Sequence, residues 1–592
     1  MVRFNPLVAV FLCFLLSCTS PPQSEGPPPP NVLIILADDQ GWGDLSLNGN
    51  PVVSTPNIDS LAQSGITLDR FYVCAVCSPT RSEMLTGRYH ELSGVYSTSA
   101  GGERMNTDET TIADLFQQAG YATGAFGKWH SGMQHPYHPN SRGFDEFYGY
   151  CSGHWGSYVD AMVEHNGEWE SSEGYLTDVL TEKAMEFISA NKDQPFLAYL
   201  PLNTPHSPMQ VPDRWWNKFK DMPLPEHRYS ERESDGKINH TRAAYAMAEN
   251  IDWNVGRISQ HLEDLGLAEH TIIIYFSDNG PNGWRWNGGM EGTKGSVNEG
   301  GVRSPCIISY PSGLPAGKTL PNITSVRDLL PTLCEFAGID PATQHPLNGQ
   351  SIAPLLLRST DSLTKRVIVN SWKGNISVRS QGFRLDEHDQ LFDMQHDPGQ
   401  TTDISEEFPE VTNQLLAEKR AHMDLVPVLT AETDPRPFTI GHPDATVTHL
   451  PARDALVTGG IQRSNRWPNC SYFTNWTETE EEIYFKVDNA QAATYEVTLY
   501  YSCRAEDVGC KVALASGEAS TSIEIGKAHD PDDRGMEHDR YERGESYVKD
   551  WATISMGTLS LNTGPQTLSL TAPEIPGERA IDFRMVSLRK VD

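Results

Sequence analysis

Cys77 opens the run Cys77-Ser78-Pro79-Thr80-Arg81, which continues to Leu85-Thr86-Gly87, so a thiol is followed two residues later by proline and four later by arginine. That spacing is the pattern a modifying enzyme reads before oxidising the thiol to formylglycine. The hydrated aldehyde is a geminal diol, and one of its hydroxyls can attack the sulfur of a sulfate ester, expel the alcohol and carry the sulfate covalently. The second hydroxyl then collapses the adduct by elimination, the aldehyde returns, and no water has to attack a crowded ester. A plain serine would remain trapped. Pro79 suits a first helical turn and Gly87 suits its end. Residue 77 is therefore expected at a helix N-terminus, where unpaired N–H groups favour an anionic oxygen or a bound sulfate. Cys74-Ala75-Val76-Cys77 is also formally a CxxC, which admits a redox pair, half a zinc site or a disulfide. Those readings leave Pro79 and Arg81 unexplained, and no second cysteine pair at zinc spacing stands nearby.

Two further segments supply hard oxygen ligands. Asn31 to Leu36 is a continuous apolar run of the kind a buried parallel strand shows, and it leads into Asp38-Asp39. Thr271 to Phe276 repeats the arrangement and leads into Ser277-Asp278-Asn279-Gly280. In open α/β sheets ligands sit in the crevice beyond the carboxyl ends of the strands, so the two endings can meet there. Three carboxylates and one amide suit a hard cation, with residue 77 and the substrate completing its shell. Calcium, which takes six to eight oxygens in flexible geometry, is preferred to magnesium, which keeps more of its water. The competing reading is that each acidic pair merely caps a loop.

With these residues in view, the chain resembles the type I, formylglycine-dependent sulfatases of the alkaline phosphatase superfamily, and in particular bacterial polysaccharide sulfatases of the ulvan and carrageenan type. The resemblance covers residues 31 to about 430. Besides the Cys77 run it rests on Gly120 to His130, Thr204-Pro205-His206, Ser277 to Gly280, the Lys294 segment of Glu291 to Pro305, and Leu391-Phe392-Asp393-Met394 before Asp397-Pro398, all in the family's order. It implies that Asp38, Asp39, Asp278 and Asn279 bind the cation with modified Cys77. It implies that Arg81 and Lys128 neutralise sulfate oxygens, with Lys294 close to the same group. His130 would hydrogen-bond the formylglycine diol and help deprotonate it, and His206 would protonate the departing oxygen. Both histidines are expected near neutral pKa. Glu299 and Arg303 are read as structural. His154, Trp155, Trp284 and Arg285 are loop residues that could shape a sugar pocket.

The elements that must position these groups follow from periodicity and composition. At 592 residues the chain exceeds one ordinary core, so two or three domains are expected. Hydrophobic residues at 38% and charged residues at 21% indicate a globular protein with no internal membrane span. Residues 1–18 are read as a signal peptide whose Leu15-Leu16-Ser17-Cys18 resembles a lipobox, so that Cys18 is a candidate for a lipid anchor to a bacterial membrane; 19–30 as a Pro-rich linker; 31–365 as an α/β catalytic domain; and 366–430 as its small antiparallel α+β subdomain. Helices are expected over Thr111 to Gln118, Leu176 to Ala190, Arg242 to Leu265 and Glu406 to Leu425. The fold class is α/β, an alkaline-phosphatase-like mixed sheet flanked by helices, followed by a C-terminal β-sandwich.

Residues 431–446 are rich in Pro, Asp, Thr and Gly and read as a linker. Beyond them, 447–592 alternates: Tyr495, Val497, Leu499 and Tyr501, then Leu568 and Leu570, point to short strands of a sandwich. It resembles jelly-roll carbohydrate-binding modules, with Trp467, Trp476 and Trp551 as candidate sugar platforms. Cys503 and Cys510 flank a short polar loop and are read as a disulfide.

The formal charge of −32, without basic stripes, excludes nucleic acid as a general partner. An acidic surface also repels a polyanionic substrate unless salt screens it, which suits a saline habitat. The expectation is an exported sulfatase, in the periplasm or at the cell surface, acting on sulfate esters of a marine algal polysaccharide or its oligosaccharides and served by a formylglycine-generating enzyme. A phosphodiesterase or phosphonate hydrolase of the same superfamily, and a non-catalytic surface glycan binder, are the alternatives.

Overall fold

The computed structural model describes Met1, residue 231 and residues 28–591 apart from 229–230, 232–236 and 364–365. The expected signal peptide, Cys18 and most of the Pro-rich stretch lie outside the described residues. Strand Asn31–Asp38 is central to an eleven-stranded sheet, paired in parallel with Phe196–Pro205 on one side and Thr271–Ser277 on the other. Phe196–Pro205 is followed in the sheet by Ala122–Lys128 and Glu146–Tyr150, also parallel, whereas Cys306–Ser309 runs antiparallel beside Thr271–Ser277.

The unbroken apolar run of the first strand is explained by what covers its two faces. Leu33, Ile35 and Ala37 belong to one core with Leu180 and Ala184 of helix Leu176–Ala190 and Ile251, Val255 and Ile258 of helix Ile238–Asp264. Val32, Ile34 and Leu36 point the other way, into a second core with Leu85 of helix Cys77–Thr86, Leu115 and Phe116 of helix Ile112–Gln118, and Leu333 of helix Leu329–Ala337. A parallel strand buried on both faces has no polar side to show. Thr111 caps its helix reciprocally with Asp114.

Close backbone approach fixes one glycine of the sheet. Gly127 has φ +140°, and a Cβ there would lie 1.9 Å from the carbonyl oxygen of Pro201 on the neighbouring strand. Gly127→Ala is expected to lower stability by roughly 2–4 kcal/mol, since neither strand can yield without breaking the ladder. Thermal denaturation reads this directly, and an unchanged midpoint would contradict it.

After the main sheet, four short antiparallel strands between Ile368 and Asp393 pack with helix Pro409–Leu425, through Val378, Leu385 and Leu415. The C-terminal region forms two six-stranded sheets around a separate core. Strand Ala493–Ser502 buries Tyr495, Val497, Leu499 and Tyr501, and strand Gly564–Glu574 buries Leu568 and Leu570. The observed architecture is the α/β sheet with flanking helices, small antiparallel subdomain and C-terminal β-sandwich.

Residues 431–446 differ from a free linker. Phe438–Ile440 is a strand of the sandwich. Arg436 donates to the carbonyls of Arg104 and Gly94, and Arg104 donates to those of Pro437 and Arg436. The sandwich itself is docked through buried polar contacts. Arg453 pairs with Glu103 at 3.1 Å, Gln134 donates to Asp454, and Arg543 donates to the Gly156 carbonyl at 2.5 Å. Cys503 and Cys510 are buried free thiols aimed at the carbonyls of Arg504 and Lys511, not a disulfide. Among the described residues no helix is long and apolar enough to cross a membrane.

Candidate active site

Cys77 is the first residue of helix Cys77–Thr86, with Val76 in extended conformation before it. The helix start is tied to the end of strand Thr271–Ser277 by Thr80, whose hydroxyl donates to the Asp278 carbonyl at 2.5 Å and accepts the Cys74 N–H at 2.9 Å. One turn in, Arg81 donates to Asp278 at 2.8 Å and to the Lys128 carbonyl at 2.6 Å. Three strand ends and one helix start thus converge, as the crevice beyond strand termini requires. The Cys77 thiol and carboxylate oxygens of Asp38 and Asp278 all lie within 4.8 Å of one another, as do ligand atoms of Asp38, Asp39 and His206.

The carboxylates are held by three cations, Arg81 and Lys128 fully buried and Lys294 partly so. Lys128 Nζ lies 2.6 Å from Asp38 Oδ2, Lys294 Nζ 2.5 Å from Asp39 Oδ1, and Arg81 pairs with Asp278 while lying 3.8 Å from Asp38. Asn279 Nδ2 donates to Asp39 Oδ1 at 2.8 Å, and the Asp39 N–H donates to Asp278 Oδ1 at 3.1 Å. These contacts occupy both oxygens of Asp278 but only one each of Asp38 and Asp39. Asp38 Oδ1, Asp39 Oδ2 and Asn279 Oδ1 are buried and accept no hydrogen bond. Buried polar atoms in native proteins are nearly always satisfied. Three orphaned oxygens from the residues expected as ligands fit a hard cation, which needs oxygen donors and no N–H.

Burial raises Asp38 and lifts Asp278 to about 6, where the charge of Asp38 adds to the effect. Asp39 resists burial and is held below the ordinary carboxylate range by Lys294 and His206. Arg81 and Lys294 are pushed up despite burial, Arg81 by Asp278 and Lys294 by Asp39. A carboxylate that prefers a proton when no cation balances it is what a site built for added positive charge produces.

The two histidines depart from the expected near-neutral pKa. Burial and then Lys128 hold His130 well below the usual range, and burial and then Lys294 bring His206 down to about 4. Both shifts favour the neutral ring. His130 Nε2 lies 2.8 Å from the Thr98 carbonyl and donates to it, so Nδ1 is a bare acceptor, buried and without a partner. His206 Nδ1 donates to the Ser207 carbonyl at 2.7 Å, and its Nε2 faces Asp39 Oδ2 at 3.9 Å.

Other sequence candidates divide. Glu299 bonds Tyr72 and pairs with Arg379 and Arg303, a structural cluster. Arg285 does not line a sugar pocket: it pairs with Asp44 at 2.5 Å and donates to the Asp39 carbonyl, fixing the loop that carries Asp39 at φ 67°. Trp155 stacks between Tyr150 and Trp169. His154 is buried with its ring 5.8 Å from that of His206, and neither nitrogen has a hydrogen-bond partner. Glu545 comes from the sandwich, and nothing in the sequence around it marks it as a site residue. It accepts a hydrogen bond from Ser207 at 3.0 Å and faces His154 and His206. It stands 338 residues from Ser207 in sequence, so no local pattern announces it.

The fold and site together define an alkaline-phosphatase-like hydrolase of anionic esters. A family model described as Sulfatase matches residues 30–339. N-acetylgalactosamine-6-sulfatase of Mus musculus is 31% identical over 384 residues, covering 59% of this chain and 70% of that protein. The solved structure of Ps i-CgsB in complex with k-i-k-neocarrahexaose is 29% identical, with TM-score 0.60, covering 67% of this chain and 92% of the other. Phosphonate monoester hydrolase of Agrobacterium radiobacter, at 22% identity and TM-score 0.53 over 67% of this chain and 95% of its own, shares the fold. The chain belongs to the sulfatase family, and it is a sulfuric ester hydrolase.

Proposed function

We propose that this protein is an exported sulfatase that hydrolyses sulfate esters on a polysaccharide or its oligosaccharides, using Cys77 converted to formylglycine and a calcium ion held by Asp38, Asp39, Asp278 and Asn279. The observation that carries the reading is the placement of Cys77 at a helix N-terminus, beside two orphaned carboxylate oxygens and one orphaned amide oxygen. Glycan substrates are supported by the neocarrahexaose named with the structural neighbour and the amino sugar named with the mammalian relative. Marine algal glycans are the expected class, because the charge of −32 suits salt-screened surroundings.

The three carboxylates and the three cations Arg81, Lys128 and Lys294 balance one another. A bound divalent ion supplies a positive surplus that attracts the sulfate and lowers the cost of charge building on its oxygens. The local field therefore opposes the acidic surface. Arg81, Lys128 and Lys294 would neutralise the sulfate oxygens, with little reorganisation because each is already pinned by an aspartate. His130, with Nε2 committed to Thr98, offers Nδ1 as the proton acceptor toward residue 77. His206 holds Nδ1 on Ser207, so Nε2 is the atom that passes a proton to the departing sugar oxygen. The incoming sulfate offsets the depressing effect of Lys294 and favours the protonated ring.

His206→Ala is expected to slow hydrolysis of a sugar sulfate by about 10²–10³-fold and to slow an aryl sulfate with a stable phenolate far less. Equal losses on the two esters would remove the proton-donor role. The whole reading is tested by measuring sulfate release from carrageenan, ulvan and fucoidan oligosaccharides beside turnover of an aryl sulfate and an aryl phosphate. Preference for the phosphate would refute it.

A further inference from the structure

The β-sandwich reaches the candidate active site at two points. Glu545 binds Ser207, the residue after His206. Asn469 Nδ2 donates to the Thr98 carbonyl at 3.5 Å, the same oxygen that fixes His130. Asn465 Nδ2 donates to the Gly544 carbonyl at 2.8 Å and so ties the segment around Asn469 to the one that carries Glu545. Between these anchors stand Arg466 and Trp467. Trp467 is 48% exposed, with the Arg466 guanidinium 4.7 Å from its ring centroid. Of the three sandwich tryptophans singled out in the sequence, Trp476 is buried at 1% in the sandwich core and Trp551 packs on Tyr472. Neither is open as Trp467 is. Arg466 is itself exposed and makes no ion pair among the described residues, although acidic side chains far outnumber basic ones in the chain.

An exposed indole stacks on the apolar face of a pyranose, and a guanidinium beside it forks onto a sulfate or carboxylate. We propose that Arg466 and Trp467 form an accessory subsite for a negatively charged sugar of the same glycan chain whose neighbouring residue is being desulfated. The sandwich then selects longer, charged substrates as a rim of the active site, not as a tethered module. This rests on the glycan reading of the proposed function.

The test uses the purified, modified, calcium-loaded full chain and its Trp467→Ala, Arg466→Ala and Trp467→Phe variants. Sulfate release is followed on di-, tetra- and hexasaccharides prepared from carrageenan, ulvan and fucoidan, with p-nitrophenyl sulfate as the small ester. The wild type is expected to favour the longer members of the series it hydrolyses. Each alanine variant should raise KM on those members roughly three- to tenfold and leave the aryl ester unchanged, whereas Trp467→Phe, which keeps an aromatic face, should stay near the wild-type KM. Unchanged KM values along the length series would overturn the subsite while leaving the glycan reading intact. Wild-type hydrolysis of the aryl ester but of no glycan in the set would overturn both.

Discussion

Cys77→Ala and Cys77→Ser are expected to abolish sulfatase turnover, with a loss on the order of 10⁴-fold or more, while leaving the fold intact. The two halves of the expectation have separate causes. Activity goes because neither replacement can become an aldehyde: alanine presents no nucleophile, and serine could take up sulfate only once, without a second hydroxyl to drive the elimination. The fold stays because the joints around residue 77 are made by others. Thr80 ties the helix to Asp278, and Arg81 ties it to Asp278 and Lys128. Removing a thiol at the first helical position costs little beside these contacts, so the denaturation midpoint should stay near that of the wild type. Peptide mass measurement on wild-type protein from a host with the modifying enzyme should find the aldehyde at position 77. Full turnover by Cys77→Ala, or an unmodified thiol in fully active protein, would remove the nucleophile assignment.

How much of this site is legible in the sequence depends on how local its causes are. Asn31 to Leu36 and Thr271 to Phe276 read as buried parallel strands because both faces are covered, which leaves no room for polar alternation. Helix Leu176–Ala190 is read to its ends, and Thr111 marks its helix through the reciprocal cap. The acidic pairs are legible as candidates because they follow such strands. Their charge state is not. The depressed histidines follow from burial, with Lys128 two residues before His130 in sequence but Lys294 brought to His206 from a distant part of the chain. Glu545 is further out of reach, since its meeting with Ser207 depends on how a second domain docks. The segment 431–446 misleads for a related reason. Its Pro, Asp and Gly content describes turns correctly, but Arg436 and Arg104 bind it to the catalytic domain by contacts that composition does not encode.

That docking changes what the sandwich is. A carbohydrate module on a free linker raises local concentration without touching the chemistry. Here Arg453 meets Glu103, Arg543 meets Gly156 and Glu545 meets Ser207, so its loops are fixed beside the candidate site. Breaking one partner of a buried ion pair costs about 3–5 kcal/mol, which makes a rigid rim the stable arrangement.

Removal of the divalent ion is expected to silence the enzyme and to soften the site at once. Chelation should reduce turnover by about 10³-fold or more, because several kcal/mol of charge stabilisation at the sulfate are lost. Calcium should restore it, and magnesium less completely, since the orphaned oxygens of Asp38, Asp39 and Asn279 call for a cation that sheds most of its water. Stability should move in the same direction. Without added charge, burial favours a proton on Asp38 and on Asp278, and the pairs with Lys128 and Arg81 weaken when either carboxylate takes one up. Because their pKa values are raised by folding, these two acids oppose the folded state at pH values above their unfolded pKa, and the penalty is relieved as pH falls and they become protonated. A bound divalent cation would offset it at neutral pH. The calcium-dependent gain in denaturation midpoint should therefore be large at pH 7 and shrink toward pH 5, and it should be strongly reduced in Asp38→Asn. Metal analysis of the active protein checks the ion itself. Full turnover in thoroughly chelated protein, or an equal calcium effect in Asp38→Asn, would dismiss the cation site.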